Sequence, residues 1–237
     1  RSPRATADHR ILAGAGWRRL SELATGDRVA IARRLPQPVN TDRWPDDRVV
    51  LLGQLIGDGS YLSNQPMRYT TGSEDNTAAV TEAATRGFGA QVTRDKGRRS
   101  RHQLMISGNG NRWRPAGVGA WLKELGIFNQ RSHEKRVPEA AFRLPDEQIA
   151  LLLRHLWATD GCIWSGPRAN GKLVTRVYYG TTSPGLAADV AALLLRLGIV
   201  ARLSTVTSGD GRIWKVGVSG AEAQRQFLDV VGAYGPR

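Results

Sequence analysis

Two aspartates close two similar apolar stretches. LLGQLIGDG ends on Asp58 and Gly59, LLLRHLWATDG ends on Asp160 and Gly161, and the two Asp-Gly pairs lie 102 positions apart (58 to 160). A negative charge at a helix C-terminus adds to the negative end of the macrodipole, so each aspartate calls for compensation. Gly53 and Gly57, four apart on one helix face, would let a second helix approach closely. If the two stretches pack side by side, both carboxylates emerge at one end and share a small space, which raises one pKa strongly. A divalent cation such as Mg²⁺ relieves this repulsion, because it takes one or two carboxylates and keeps the rest of its shell for water and substrate phosphates. In that setting it activates water and stabilises the leaving oxygen of a phosphodiester. One Asp-Gly after an apolar helix is usually only a turn; two copies at equivalent places of a repeat are a pattern.

The elements around the two pairs repeat as well. After Gly59 come short strand-like runs (SYL, MRYTTGS), a helical stretch over residues 76–88, two strands (AQVTRD, RHQLMISG) and a helix ending at WLKELGI. After Gly161 the order recurs in CIWSG, KLVTRVYYGTTS, LAADVAALLLRLGI, VARLSTVT, RIWKVGVSG and AEAQRQFLDVVG. Each half reads αββαββα, which predicts an α+β fold of two pseudo-symmetric halves, about residues 46–145 and 146–237. Alternation sets Val177 and Tyr179 against Arg176, Tyr178 and Gly180, and Ile213, Lys215 and Gly217 against Trp214, Val216 and Val218. One face of each sheet is therefore expected under helices and the other, basic, is expected to be open. Residues 1–45 stand outside the repeat, with a Gly-Trp turn, a Gly-Asp turn and short β pieces. Pro36, Pro38 and Pro45 then punctuate a linker whose boundary is placed near Trp44.

Lys and Arg number 34 against 21 Asp and Glu, a net charge of +13. That excess leaves two sources open: a polyanionic partner, which basic surface binds by releasing phosphate counterions, or an Arg-rich proteome. The single cysteine, Cys162, excludes an internal disulfide and a zinc cluster and fits the reducing cytosol. No signal peptide and no apolar run near the roughly 20 residues that span a bilayer is visible, so a soluble cytoplasmic chain is expected, a monomer with internal two-fold symmetry.

The paired motifs resemble those of LAGLIDADG homing endonucleases in the single-chain, two-motif form, over about residues 46–235. The resemblance implies a saddle-shaped, metal-dependent nuclease for a long specific site in double-stranded DNA, with Asp58 and Asp160 as metal-binding catalytic carboxylates. EKRVPEAAF resembles the family's Lys-x-Ile-Pro block and makes Lys135 the basic residue near the attacking water. The second motif departs from the pattern: His155 stands where a small glycine is usual and Trp157 and Ala158 replace the common Ile and Asp, so looser helix approach is expected there, with His155 filling the gap opposite Gly53. Candidate DNA contacts on the strands are Arg68, Tyr69, Arg94, Lys96, Arg98, Arg99 and Arg101 in the first half, and Arg176, Tyr178, Arg202, Arg212 and Lys215 in the second.

Residues 1–45 resemble the N-terminal splicing block of an intein, with Thr6 and His9 matching its Thr-x-x-His pair, in the order found in nuclease-bearing inteins of actinobacterial replicative DNA helicases. No Cys or Ser opens the chain and no His-Asn closes it, so it reads as a fragment that does not splice. Judged from Gly126 and Gly232, the second half's counterpart of Lys135 falls past Arg237, so the two halves are expected to act unequally. Two alternatives share the fold: a nucleic-acid binder without catalysis, maturase-like or regulatory, and a splicing element with a decayed nuclease.

Overall fold

A computed structural model describes residues 5–95, 97, 100–111, 113–167, 170–209 and 211–235. The N-terminal piece is a hairpin of β1 (Arg10–Ala13) and β2 (Gly16–Arg19), followed by a short 3-10 turn at Leu20–Glu22 and a single bridge from Ala13 to Val29. The first half then runs α1 (Asp46–Asp58), β3 (Gly59–Ser60), β4 (Arg68–Thr71), α2 (Glu74–Phe88), β5 (Val92–Arg94), β6 (His102–Ile106) and α3 (Gly117–Glu124). The second runs α4 (Asp146–Asp160), β7 (Gly161–Pro167), β8 (Leu173–Thr181), α5 (Pro184–Arg196), β9 (Ala201–Ser208), β10 (Gly211–Val218) and α6 (Ala221–Val230). The sheet orders, β3-β4-β6-β5 and β7-β8-β10-β9, are the same once the repeat is allowed for, and all pairings are antiparallel. The αββαββα repeat is thus present in both halves.

The repeat extends to single hydrogen bonds. Thr71 and Thr181 each accept through Oγ1 from the backbone N–H two residues on, at 3.1 Å, and those residues, Ser73 and Ser183, are the N-caps of α2 and α5. Their hydroxyls accept from the N–H of Asn76 and Leu186, which marks Asn76 and Leu186 as equivalent positions.

The halves share one core, with Leu51, Leu52 and Leu55 of α1 and Leu152, Leu153 and Leu156 of α4 fully buried in it. A Cβ added at Gly53 would lie 2.8 Å from the Leu152 carbonyl oxygen, and one at Gly57 would fall inside the Thr159 side chain. The helices therefore touch backbone to backbone. Gly57→Ala will cost about 1–3 kcal/mol in denaturant unfolding, because overpacking outweighs alanine's better helix propensity, which is worth about 1 kcal/mol. Stability equal to or above that of the parent would contradict this close packing.

The N-terminal segment is fastened to the second half. Gln37 accepts from the Asp146 N–H at 2.9 Å at the start of α4, where Pro145 offers no side-chain cap. Asp146 also binds Arg34 and the buried Arg196, and Gln148 clasps the backbone of Trp44 at 2.6 and 3.1 Å. Among the described residues no helix is long and apolar enough to cross a membrane.

Candidate active site

α1 and α4 end together, and each ends on its aspartate: Asp58 is half-buried and Asp160 exposed. Two cavities flank them, and both carboxylates border both. The larger, about 600 Å³, is completed by Lys135, Ser132 and the end of β8 from Tyr178 onward. The smaller, about 450 Å³, is completed by Thr70 and Thr71 of β4, by Asn76 and by Arg101. The internal two-fold that exchanges β4 and β8 thus exchanges the two cavities.

Lys135 is buried beneath α1. Its Nζ donates to the carbonyls of Gly57 at 2.7 Å, Gly59 at 2.8 Å and Leu55 at 3.4 Å, so its three donors satisfy the negative end of that helix. Burial pulls its pKa down to about 8, while Asp160 and Asp58 pull in the other direction, so the ammonium is charged at neutral pH. The compensation sought for Asp58 is therefore built in part from a lysine, beside whatever a cation adds. Lys135 in turn is pinned to α5: Ser183 Oγ donates to its carbonyl at 2.7 Å, and the buried Asp189 grips Arg136 with two bonds of 2.6 Å and accepts from the Val137 N–H at 3.1 Å.

The end of α4 is held otherwise. Asn76 of α2, in the opposite half, donates from Nδ2 to the Ala158 carbonyl at 2.9 Å. His155 does not loosen the helix pair, contrary to expectation. Its Cβ stands only 3.0 Å from the place of a Cβ on Gly53, while its ring turns aside to stack on Tyr234, with centroids 4.6 Å apart, and bonds Gln54 at 3.1 Å. Burial depresses its pKa to about 4, so it is neutral in this packing.

The strand candidates divide by parity. Arg176, Tyr178, Arg202 and Lys215 share the open face of the second sheet, with Lys215 over the Tyr178 ring at 4.7 Å and Arg176 over Trp164 at 5.3 Å. Arg68 lies on the open face of the first, and Arg101 borders the smaller cavity. Three candidates face the other way, because successive strand residues point to opposite sides. Tyr69 is fully buried and donates to Gln54 at 2.5 Å; Arg94 turns to α2 and binds Glu74 at 2.7 and 2.8 Å; Arg212 pairs with Thr207, out of phase with Lys215. Lys96, Arg98 and Arg99 lie outside the described residues. Thr6 and His9 occupy one tight turn, with the His9 N–H bonded to the Thr6 carbonyl at 3.1 Å. Asn76, Gln54, Asp189 and Trp164 were missed. Only Asp189 carried a sequence signal, a lone acid in the apolar helix LAADVAALLLRLGI.

Residues 147–232 match the LAGLIDADG-like domain. The fold matches that of I-DmoI in complex with DNA and Mn, with a TM-score of 0.50 at 13% identity over 81% of this chain and 98% of that one. It also matches the N-terminal LAGLIDADG domain of DUF199/WhiA, with a TM-score of 0.51 at 12% identity over 82% and 88%. The chain thus carries a LAGLIDADG-like domain, within a fold that matches those two LAGLIDADG structures. Over its whole length it is 44% identical to replicative DNA helicase DnaB of Rhodothermus marinus, of which it spans 25%. Over 98% of its length it is 38% identical to DnaB of a Synechocystis species and 33% identical to RecA of Mycobacterium tuberculosis, spanning 27% and 30% of those proteins. The chain thus spans about a quarter of the length of the DnaB relatives it matches.

Proposed function

We propose that residues 46–237 form a divalent-cation-dependent endonuclease that cuts both strands of a long, specific DNA duplex, and that residues 1–45, with Thr6 and His9, belong to the intein's splicing part. One observation carries the nuclease reading: Asp58 and Asp160 end adjacent helices and together border both cavities beneath two basic sheet faces. Among the described residues no group of three or more His, Cys, Asp or Glu side chains could hold a metal. A donor set of two carboxylates suits Mg²⁺, which keeps water and phosphate ligands, better than an all-protein cage. Asp58 and Asp160 would hold it, and when bound it would supply an activated water and charge for the leaving oxygen. Lys135, its donors already engaged, acts as a fixed positive charge beside the carboxylates. Arg68, Arg101, Arg176, Arg202 and Lys215, with Tyr178, grip the duplex.

The test is cleavage of DNA that carries the uninterrupted insertion site of the host gene, with and without Mg²⁺. Binding to that site will weaken steeply with salt, with a log–log slope set by about five to ten neutralised phosphates. A flat salt response would remove the nucleic-acid reading. Salt-sensitive binding without cleavage would leave a binder of the same fold.

A further inference from the structure

We infer that a buried hydrogen-bond chain, Tyr69–Gln54–Asn76, positions Asp160 by holding the last turn of α4 from the opposite half of the molecule. The inference rests on the nuclease reading and deepens it, since it assigns Asp160 a positioning residue.

The direction of every bond follows from one group. The Ala158 carbonyl can only accept, so the Asn76 Nδ2 amide must face it, at 2.9 Å. Asn76 Oδ1 then faces Gln54 and receives its Nε2 amide at 3.4 Å. The same Gln54 amide bonds His155 Nδ1 at 3.1 Å, which makes that nitrogen the acceptor and places the ring proton on Nε2. Gln54 Oε1 is left to accept from the Tyr69 hydroxyl at 2.5 Å. Tyr69, Gln54, Asn76 and His155 are each at most 4% exposed. Rotating either amide would set donor against donor or acceptor against acceptor, and so buried a chain offers few substitute partners. Asn76 is thus locked on the carbonyl two residues before Asp160.

Among the described residues the device occurs once. The position equivalent to Asn76 is Leu186, an apolar residue, and the end of α1 is held by Lys135 instead. The two carboxylate-bearing helix ends are therefore fixed by different chemistry, an amide borne by the first half for α4 and an ammonium for α1. Asn76 borders the smaller cavity and Lys135 the larger.

The test uses the full chain and a duplex labelled on both strands, with the parent protein's cleavage as the separate check on the nuclease reading. Asn76→Leu, which copies Leu186, is expected to slow both strands by about 10–100-fold, the range for groups that orient a metal ligand, because Asp160 borders both cavities. Cleavage of both strands at the parent rate would overturn the inference. Amide hydrogen exchange needs no activity. In Asn76→Leu and in Asn76→Asp, which keeps the size but removes the donor, the Gly161 N–H, bonded to the Trp157 carbonyl, should exchange at least about tenfold faster, while the Gly59 N–H on α1 is unchanged. Unchanged exchange at Gly161 would equally overturn it.

Discussion

Asp58→Asn will abolish divalent-cation-dependent cleavage of both strands and leave duplex binding within a few-fold. Asparagine keeps the shape of the side chain and removes the charge that a hard cation needs. Because Asp58 borders both cavities, its loss reaches both reactions. The expected fall in rate is at least about 10²–10³-fold, the range seen when one group that stabilises transition-state charge is removed. Binding should survive because Arg68, Arg176 and Arg202 grip from the sheet faces and border neither cavity. The measurement is single-turnover cleavage of a labelled duplex beside a binding titration in Ca²⁺. Cleavage at the parent rate would show that Asp58 serves no metal. Loss confined to one strand would show that the two carboxylates work separately.

What could be read from the sequence was whatever repeats along it. The paired Asp-Gly ends and the Gly53 and Gly57 face gave the helix pair, and the long alternating runs of β8 and β10 gave a covered face and an open one. The first half was less legible because its strands are short. SYL supplied a strand-like run, yet β3 stops at Ser60, and Tyr61 turns into the core with its ring 5.5 Å from Lys135. Arg68 and Tyr69 were both assigned to DNA although neighbours on a strand face opposite ways; composition drew both, and parity admits only one. Asn76 was hidden for another reason. Its partner is 82 residues away in the other half, and no local pattern announces a bond between a helix start and a distant helix end. Asp189 is similar: its bonds to Arg136 and to the Val137 N–H cross about 50 residues. Local chemistry was visible, and the cross-braces between halves were not.

The strongest asymmetry those cross-braces create lies at Lys135, and it should appear as a nicked intermediate. The larger cavity has a buried ammonium within reach of both carboxylates, whereas the described residues around the smaller one include Arg101 and Asn76 but no lysine. A fixed positive charge at a reacting phosphate stabilises the negative charge that develops there, and more strongly in a desolvated site than in water. One strand should therefore be cut faster. With Mg²⁺ and a supercoiled plasmid carrying the target, nicked circle should accumulate before linear product. Lys135→Ala should suppress that first nick by about 10²-fold. The variant also leaves the Gly57 and Gly59 carbonyls without their donor, at about 1–3 kcal/mol of stability, so melting must be followed beside activity. Lys135→Arg separates the two effects: it restores the charge but forces a larger group into the packed space under α1. It should recover part of the strand bias even where it does not recover the stability. Linear product forming with no nicked intermediate, or a Lys135→Ala protein that nicks as fast as the parent, would show that the buried lysine serves only the helix end.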